Sequence, residues 1–183
     1  MRKLKVTEMG RLSVQEYRHA EKIPLVVVLD NVRSMYNVGS VFRTSDAYRV
    51  ERIVLCGITA CPPHVEIHKT ALGAEDSVAW QFYPSTLQAI DALKSEGYHV
   101  WAVEQAQGST TLDSIVEEMK PDTRYAVVLG NEVKGVDQTV VDNCAGCIEL
   151  PQFGTKHSLN VSVTAGIVIW EFAKTLRTLN NTI

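Results

Sequence analysis

Three stretches of the chain put side chains that bind anions or orient hydroxyls where a strand ends or a helix opens. In the first, Asn37, Ser40 and Arg43 gather within NVRSMYNVGSVFRTSDAYRV, residues 31–50. The second is Gly130-Asn-Glu-Val-Lys-Gly135, which contains Glu132 and Lys134. The third, IELPQFGTKHSLNVSVTAGIVIW at 148–170, carries Lys156, His157, Ser158 and Asn160 between a short apolar strand and a long apolar segment. Arg43 has the most restrictive chemistry. A guanidinium keeps its charge and presents a rigid fork of donors, so near strand ends it pairs with a carboxylate or holds a phosphate. Glu132 is the carboxylate candidate for an ion pair. With Asn37, Ser158 and Asn160 alongside, the preference moves towards an anion or ribose site.

Familiar nucleotide sites do not fit these stretches. No G-x-G-x-x-G follows the first strand, and Gly130 to Gly135 has P-loop glycine spacing with Val136 and Asp137 where Lys and Ser or Thr must stand. Cys144-Ala-Gly-Cys147 lacks a second half for a zinc site and does not open a helix as redox pairs do. His64 and His68 follow a Pro-Pro turn and read as loop histidines, so no metal is expected.

The elements that must hold the three clusters follow from periodicity. Leu25 to Asp30, Arg52 to Cys56 and Tyr125 to Leu129 are continuous β-branched or apolar runs, the mark of strands covered on both faces. Val78 to Tyr83, Tyr98 to Glu104 and Cys147 to Pro151 are further strand candidates. Helices are expected at Ser13–Ala20, from Val38 with Asn37 as cap, at Ser85–Glu96, at Leu112–Lys120, and from Ser158 to about Leu179. Ser158 fits the N-cap of that last helix, with Asn160 projecting from its first turn. Gly57 to Ala74 reads as a loop with one helical turn, and Gln105 to Thr111 as a polar turn. Alternating strands and helices give one α/β domain with a mostly parallel sheet flanked by helices, whose ligands sit outside the C-terminal strand ends. The last helix is apolar nearly all round, which buries it in a core or against another subunit.

At 183 residues and 45% hydrophobic the chain suffices for one well-packed domain. No run reaches the roughly 18 apolar residues of a membrane span, and the N-terminus lacks a signal-peptide core, so a cytoplasmic location is expected. The formal charge of −3 conceals an asymmetry: residues 1–22 carry +3, leaving −6 for the rest. The segment 1–22 is therefore read as a short basic N-terminal piece, and 23–183 as the domain. A basic arm of this kind serves either as a solvated helix or as a nucleic-acid contact.

Taken together, the three clusters resemble the signature motifs of the SpoU (TrmH-like) ribose methyltransferases of the SPOUT superfamily. DNVRSMYNVGSVFRTSDAYRV matches the Asn-x5-Arg element at Asn37 and Arg43, VVLGNEVKGV places the acidic residue at Glu132, and IELPQFGTKHSLNVSVTAGI matches at Ser158 and Asn160. KTALGA at Lys69–Ala74 fits as well, and the match runs from about Leu25 to Ala173. The resemblance implies a minimal member without the larger RNA-binding extensions of some relatives. It further implies a deep C-terminal trefoil knot, which chain-topology rules alone would not suggest. S-adenosylmethionine would be held there largely by backbone groups around Leu129, Gly130, Ile148, Leu150 and Leu159. A homodimer is implied, with methyl transfer to a ribose 2′-hydroxyl of RNA.

On that resemblance Asn37, Arg43, Glu132, Ser158 and Asn160 form the catalytic set. The resemblance credits Arg43 with activating the hydroxyl. A guanidinium is a poor base, so the alternative is that Arg43 clamps a phosphate and stabilises the developing alkoxide, with proton loss assisted by a neighbouring phosphate or water. Arg33, Lys69, Lys134 and Lys156 are the candidate RNA contacts. Transfer RNA is favoured over ribosomal RNA because so small a protein has little surface for a large ribosomal site. The contrasting reading is a non-catalytic RNA-binding protein or assembly factor with the same fold. The five-residue set favours the enzyme, since a pure binder has no need of all five.

Overall fold

The computed structural model describes residues 1–180. The chain runs α1 (Val14–His19), β1 (Ile23–Asp30), α2 (Met35–Tyr48), β2 (Val50–Cys56), α3 (Val65–Ala71), α4 (Ala74–Ser77), β3 (Ala79–Tyr83), α5 (Thr86–Ser95) and β4 (Tyr98–Val103). It continues through β5 (Thr110–Thr111), α6 (Leu112–Glu118), β6 (Arg124–Leu129), α7 (Gln138–Asp142), β7 (Gly146–Glu149) and α8 (Val161–Leu179). The seven strands form one sheet in the order β3-β2-β1-β6-β4-β7-β5, with every neighbouring pair parallel. This is the α/β architecture that the alternation of apolar runs predicts.

The unbroken apolar runs are explained by burial on two sides. Along β1, Leu25, Val27 and Leu29 enter a core shared with α2, α3 and α8, while Val26 and Val28 enter a second core closed by Ala89, Ile90 and Leu93 of α5. Side chains alternate faces along a strand, so a strand sandwiched between two helical layers must be apolar at every position. The same holds for β6, where Tyr125, Val127 and Leu129 face one core and Ala126 and Val128 the other. Helix α8 packs on β1 and α2, and its Phe172 meets the Tyr125 ring edge-on at 5.8 Å between centroids.

Two expectations change. The region Gly57 to Ala74 is not a loop with a single turn: it contains the seven-residue α3, and α4 begins at its last residue. Helix α3 lies so close to α2 that a Cβ on Gly39 would fall 2.2 Å from Thr70 Oγ1 and 2.3 Å from the Ile67 carbonyl. Glycine at 39 is what permits that approach, and its cost to helix propensity of about 1 kcal/mol is offset by packing. The polar turn after β4 ends in β5, two residues that pair with Ile148 and Glu149. A two-residue strand leaves no period to read in the sequence.

Candidate active site

Because all strands are parallel, β1, β6, β4 and β7 deliver their C-terminal residues to one edge. The loop after β6 closes on itself. Asn131 and Gly135 exchange backbone hydrogen bonds at 3.0 and 2.9 Å, and Asn131 Oδ1 accepts from the amides of Val133 and Lys134. Gly135 sits at φ +69°, and a Cβ on Gly130 would lie 2.1 Å from the Gly135 carbonyl carbon. A side chain at 130 would have to move backbone, and one at 135 would be strained in the left-handed region and would displace the Glu104 carboxylate. Asn131 Nδ2 donates to the Asn31 carbonyl at 2.8 Å, tying this loop to the end of β1.

Glu132 projects from that loop to the start of α2. Its Oε2 accepts from the Arg33 amide at 3.0 Å, and its Oε1 from the Ser34 amide at 2.9 Å and Asn37 Nδ2 at 3.0 Å. Partial burial works against the charge, but the amides of Arg33 and Ser34 and the Asn37 side chain outweigh it and hold this carboxyl below the ordinary glutamate range. A negative charge here also meets the positive end of the α2 dipole. Asn37 Oδ1 in turn accepts from Asn160 Nδ2 at 3.2 Å, and Asn160 Oδ1 accepts from the Ser162 and Val163 amides at 2.9 and 3.4 Å. A continuous polar chain, Glu132–Asn37–Asn160–α8, therefore joins all three sequence clusters.

Two caps differ from expectation. Helix α2 begins earlier, capped by the Ser34 hydroxyl accepting from the Asn37 amide, so Asn37 lies inside the first turn with its amide side chain released for the network. Helix α8 begins later, with Asn160 rather than Ser158 as its cap. Ser and Asn are almost equally good caps, and burial of Val161 sets the start. Ser158 is exposed and points no bond at the helix.

Behind this network lies a cavity of about 510 Å³, within the range of small-molecule and cofactor sites. All five residues assigned to a cofactor, Leu129, Gly130, Ile148, Leu150 and Leu159, line it, as do Glu132, Lys134, Ser158 and Asn160. Arg33 and Lys156 are exposed, the first beside Glu132 and the second in the loop that closes the cavity. Lys69 is paired with Glu66 at 2.6 Å on α3, away from the cavity. Sequence reasoning missed Glu104 and Gln105. Glu104 Oε2 accepts from the Val136 amide at 2.9 Å, and Gln105 Nε2 donates to the His157 carbonyl at 2.7 Å, so the end of β4 braces both cavity loops. The available signal was their place immediately after an apolar strand.

Arg43 departs furthest from expectation. It makes no ion pair with Glu132, whose acceptors are occupied by backbone amides and Asn37, and it is exposed beside a different hollow. Six residues along an α-helix advance about 9 Å and leave two side chains about 120° apart around the axis. Asn37 and Arg43 consequently serve different surfaces of α2.

The comparisons with known proteins agree with this fold. The model of the SpoU rRNA Methylase family matches residues 24–170. A Staphylococcus haemolyticus protein named for the TrmH family of tRNA/rRNA methyltransferases is 30% identical over 158 residues, covering 86% of this chain and 61% of its own length. The chain thus spans about three-fifths of that relative. The AdoMet-bound crystal structure of an rRNA methyltransferase from Sinorhizobium meliloti superimposes with a TM-score of 0.78 at 26% identity, covering 87% of this chain and 60% of that one. The A. aeolicus TrmH/SpoU tRNA modifying enzyme shares the fold at a TM-score of 0.76 and 24% identity, covering 90% of this chain and 82% of that one. With its parallel sheet, three joined polar clusters and a family match over most of its length, the chain belongs to the SpoU rRNA methylase family.

Proposed function

We propose that the chain is an S-adenosylmethionine-dependent RNA methyltransferase acting on a ribose 2′-hydroxyl, with transfer RNA the preferred substrate class. The observation that supports this reading most is the cavity itself: five apolar or backbone-presenting residues assigned to the cofactor line one space, and the Glu132–Asn37–Asn160 chain stands at its wall. The lining fits the cofactor. Leu129, Ile148, Leu150 and Leu159 offer apolar surface to a purine, Gly130 lines the same space, and Glu104 adds negative charge beside it for a cationic ligand.

The bound cofactor would supply a methyl group on a sulfonium, already activated for transfer. What remains for the protein is positioning and charge stabilisation. Glu132 fixes the start of α2 and the Asn37 amide. Asn37 orients Asn160, and the exposed Ser158 hydroxyl remains available to the substrate ribose. Arg43 would hold a substrate phosphate and stabilise the developing alkoxide, with its proton leaving to water or a neighbouring phosphate. Arg43 does not line this chain's cavity, and α8 leaves Val163, Ile167 and Trp170 exposed at 51%, 38% and 48% at i, i+4 and i+7 spacing. Both facts support a homodimer that covers this stripe and brings Arg43 of one protomer to the cavity of its partner. The return of the chain from β7 to α8 is where the trefoil knot would lie.

Isothermal titration with S-adenosylmethionine tests the cofactor site, with about one cofactor per chain expected. Nucleoside analysis of bulk RNA treated with the enzyme and labelled cofactor then tests the product. Arg43→Ala should abolish turnover and leave cofactor affinity unchanged. Loss of both would overturn the role given to Arg43, and a folded chain that binds no cofactor would favour a non-catalytic RNA-binding role.

A further inference from the structure

We infer that the hollow between residues 10–14 and α2 is a second binding site, one that takes the phosphodiester backbone of RNA on Arg11 and Arg49 beside Arg43. The inference rests on the RNA-directed reading above and adds a location and two residues to it. The hollow measures about 470 Å³ and shares no lining residue with the cofactor cavity.

Three arginines line it, from two pieces of chain. Arg11 comes from the segment before α1, Arg43 from the third turn of α2, and Arg49 from the residue that ends α2 in the left-handed conformation at φ +54°. None of the three forms an ion pair among the described residues. Asp46 and Asp76 also line the hollow, but Asp46 Oδ1 is engaged by the Ser77 hydroxyl at 2.6 Å, and the lining keeps three positive charges against two negative. Nearby, Lys22 gives its ammonium to the carbonyls of Tyr17 and Ala20. Burial first, and then the positive charge of Arg49, depress the pKa of that lysine.

Arginines that outnumber the carboxylates around them and form no ion pair keep a net positive charge, which an entering anion offsets. The guanidinium fork matches the paired oxygens of a phosphate. Three arginines from two chain segments around one hollow suit a ligand with repeating phosphates better than a single ion. Arg43, the residue offered above to the substrate phosphate, supplies the link between this hollow and the reaction.

The test uses the full chain and a fluorescein-labelled RNA hairpin, with affinity measured across a salt series. An Arg11→Gln/Arg49→Gln double variant should lower the magnitude of the log–log salt slope by about 1.4, since each lost phosphate contact removes about 0.7 on single-stranded segments. Its S-adenosylmethionine affinity should equal that of the wild type, which also reports that the variant folds. A Lys94→Gln/Lys120→Gln variant removes the same charge outside the hollow and should leave the slope unchanged. Equal slopes for wild type and the arginine variant would overturn the site, and so would an equal loss in the lysine variant. A wild-type chain that binds cofactor but no RNA hairpin at low salt would overturn the RNA reading itself and the site with it.

Discussion

Glu132→Gln tests the link between the β6–α7 loop and α2 most directly. The carboxylate divides its acceptors: Oε2 serves the Arg33 amide, and Oε1 serves the Ser34 amide and Asn37 Nδ2. A glutamine keeps one oxygen and replaces the other with an NH2 group. If the oxygen stays with Ser34 and Asn37, the new donor faces the Arg33 amide, and one hydrogen bond is lost with two donors opposed. A hydrogen bond to a charged group is worth about 1.5–3 kcal/mol when well formed. Glu132 is largely exposed, so solvent screening reduces this to about 1–2 kcal/mol. For a chain of this size that corresponds to a fall in Tm of about 2–8 °C. The pH dependence fixes the sign. The folded-state pKa is depressed, so the contribution of Glu132 is present above the unfolded value of about 4.3 and is lost as pH falls through the folded value. Thermal unfolding followed by circular dichroism should show a gap between wild type and variant at pH 7 that narrows below about pH 4.5. A gap under 1 °C at pH 7, or one that widens in acid, would refute the clamp.

Three further outcomes follow from the same geometry. Asn160→Ala removes the α8 cap and the Asn37 contact, and should cost about 1 kcal/mol. Ser158→Ala, at an unbonded position, should leave Tm unchanged while lowering turnover, and paired melting and activity assays separate the two. Gly130→Ala drives a Cβ to within 2.4 Å of the Gly135 and Val136 backbone, so cofactor titration should show at least a tenfold weaker site with a lowered Tm. Ile167→Glu puts charge into the exposed stripe of α8, and sedimentation at micromolar concentration should show the variant as a monomer and the wild type as a dimer.

The legibility of this chain in its sequence varied with the kind of signal. Leu25 to Asp30 and Tyr125 to Leu129 were readable as strands because burial on both faces forces every position to be apolar. The cavity residues Leu129, Gly130, Ile148, Leu150 and Leu159 came from resemblance, and the structure gathers them in one place. Helix starts were less legible: Ser34 against Asn37, and Ser158 against Asn160, are choices between residues of similar capping strength. Six-residue spacing on one helix already separates Asn37 and Arg43 by about 120°, but the separate hollow beside Arg43 depends on residues 10–14 and 71–77, which no local pattern ties to it. The bracing by Glu104 and Gln105 depends on contacts with residues 136 and 157, separations that no local pattern encodes.

The strand order carries a consequence for how the chain is made. Strand β6 lies between β1 and β4, so the first three strands and the fourth cannot join into one sheet until residues 124–129 have left the ribosome. Roughly a hundred residues separate the end of β1 from the end of β6, about 5–20 s of synthesis at usual elongation rates. For that interval Leu25 to Leu29 present a bare, apolar edge, the kind of surface that recruits stray strands. The window for error is thus set by translation speed, and slow codons between 104 and 124 would lengthen it.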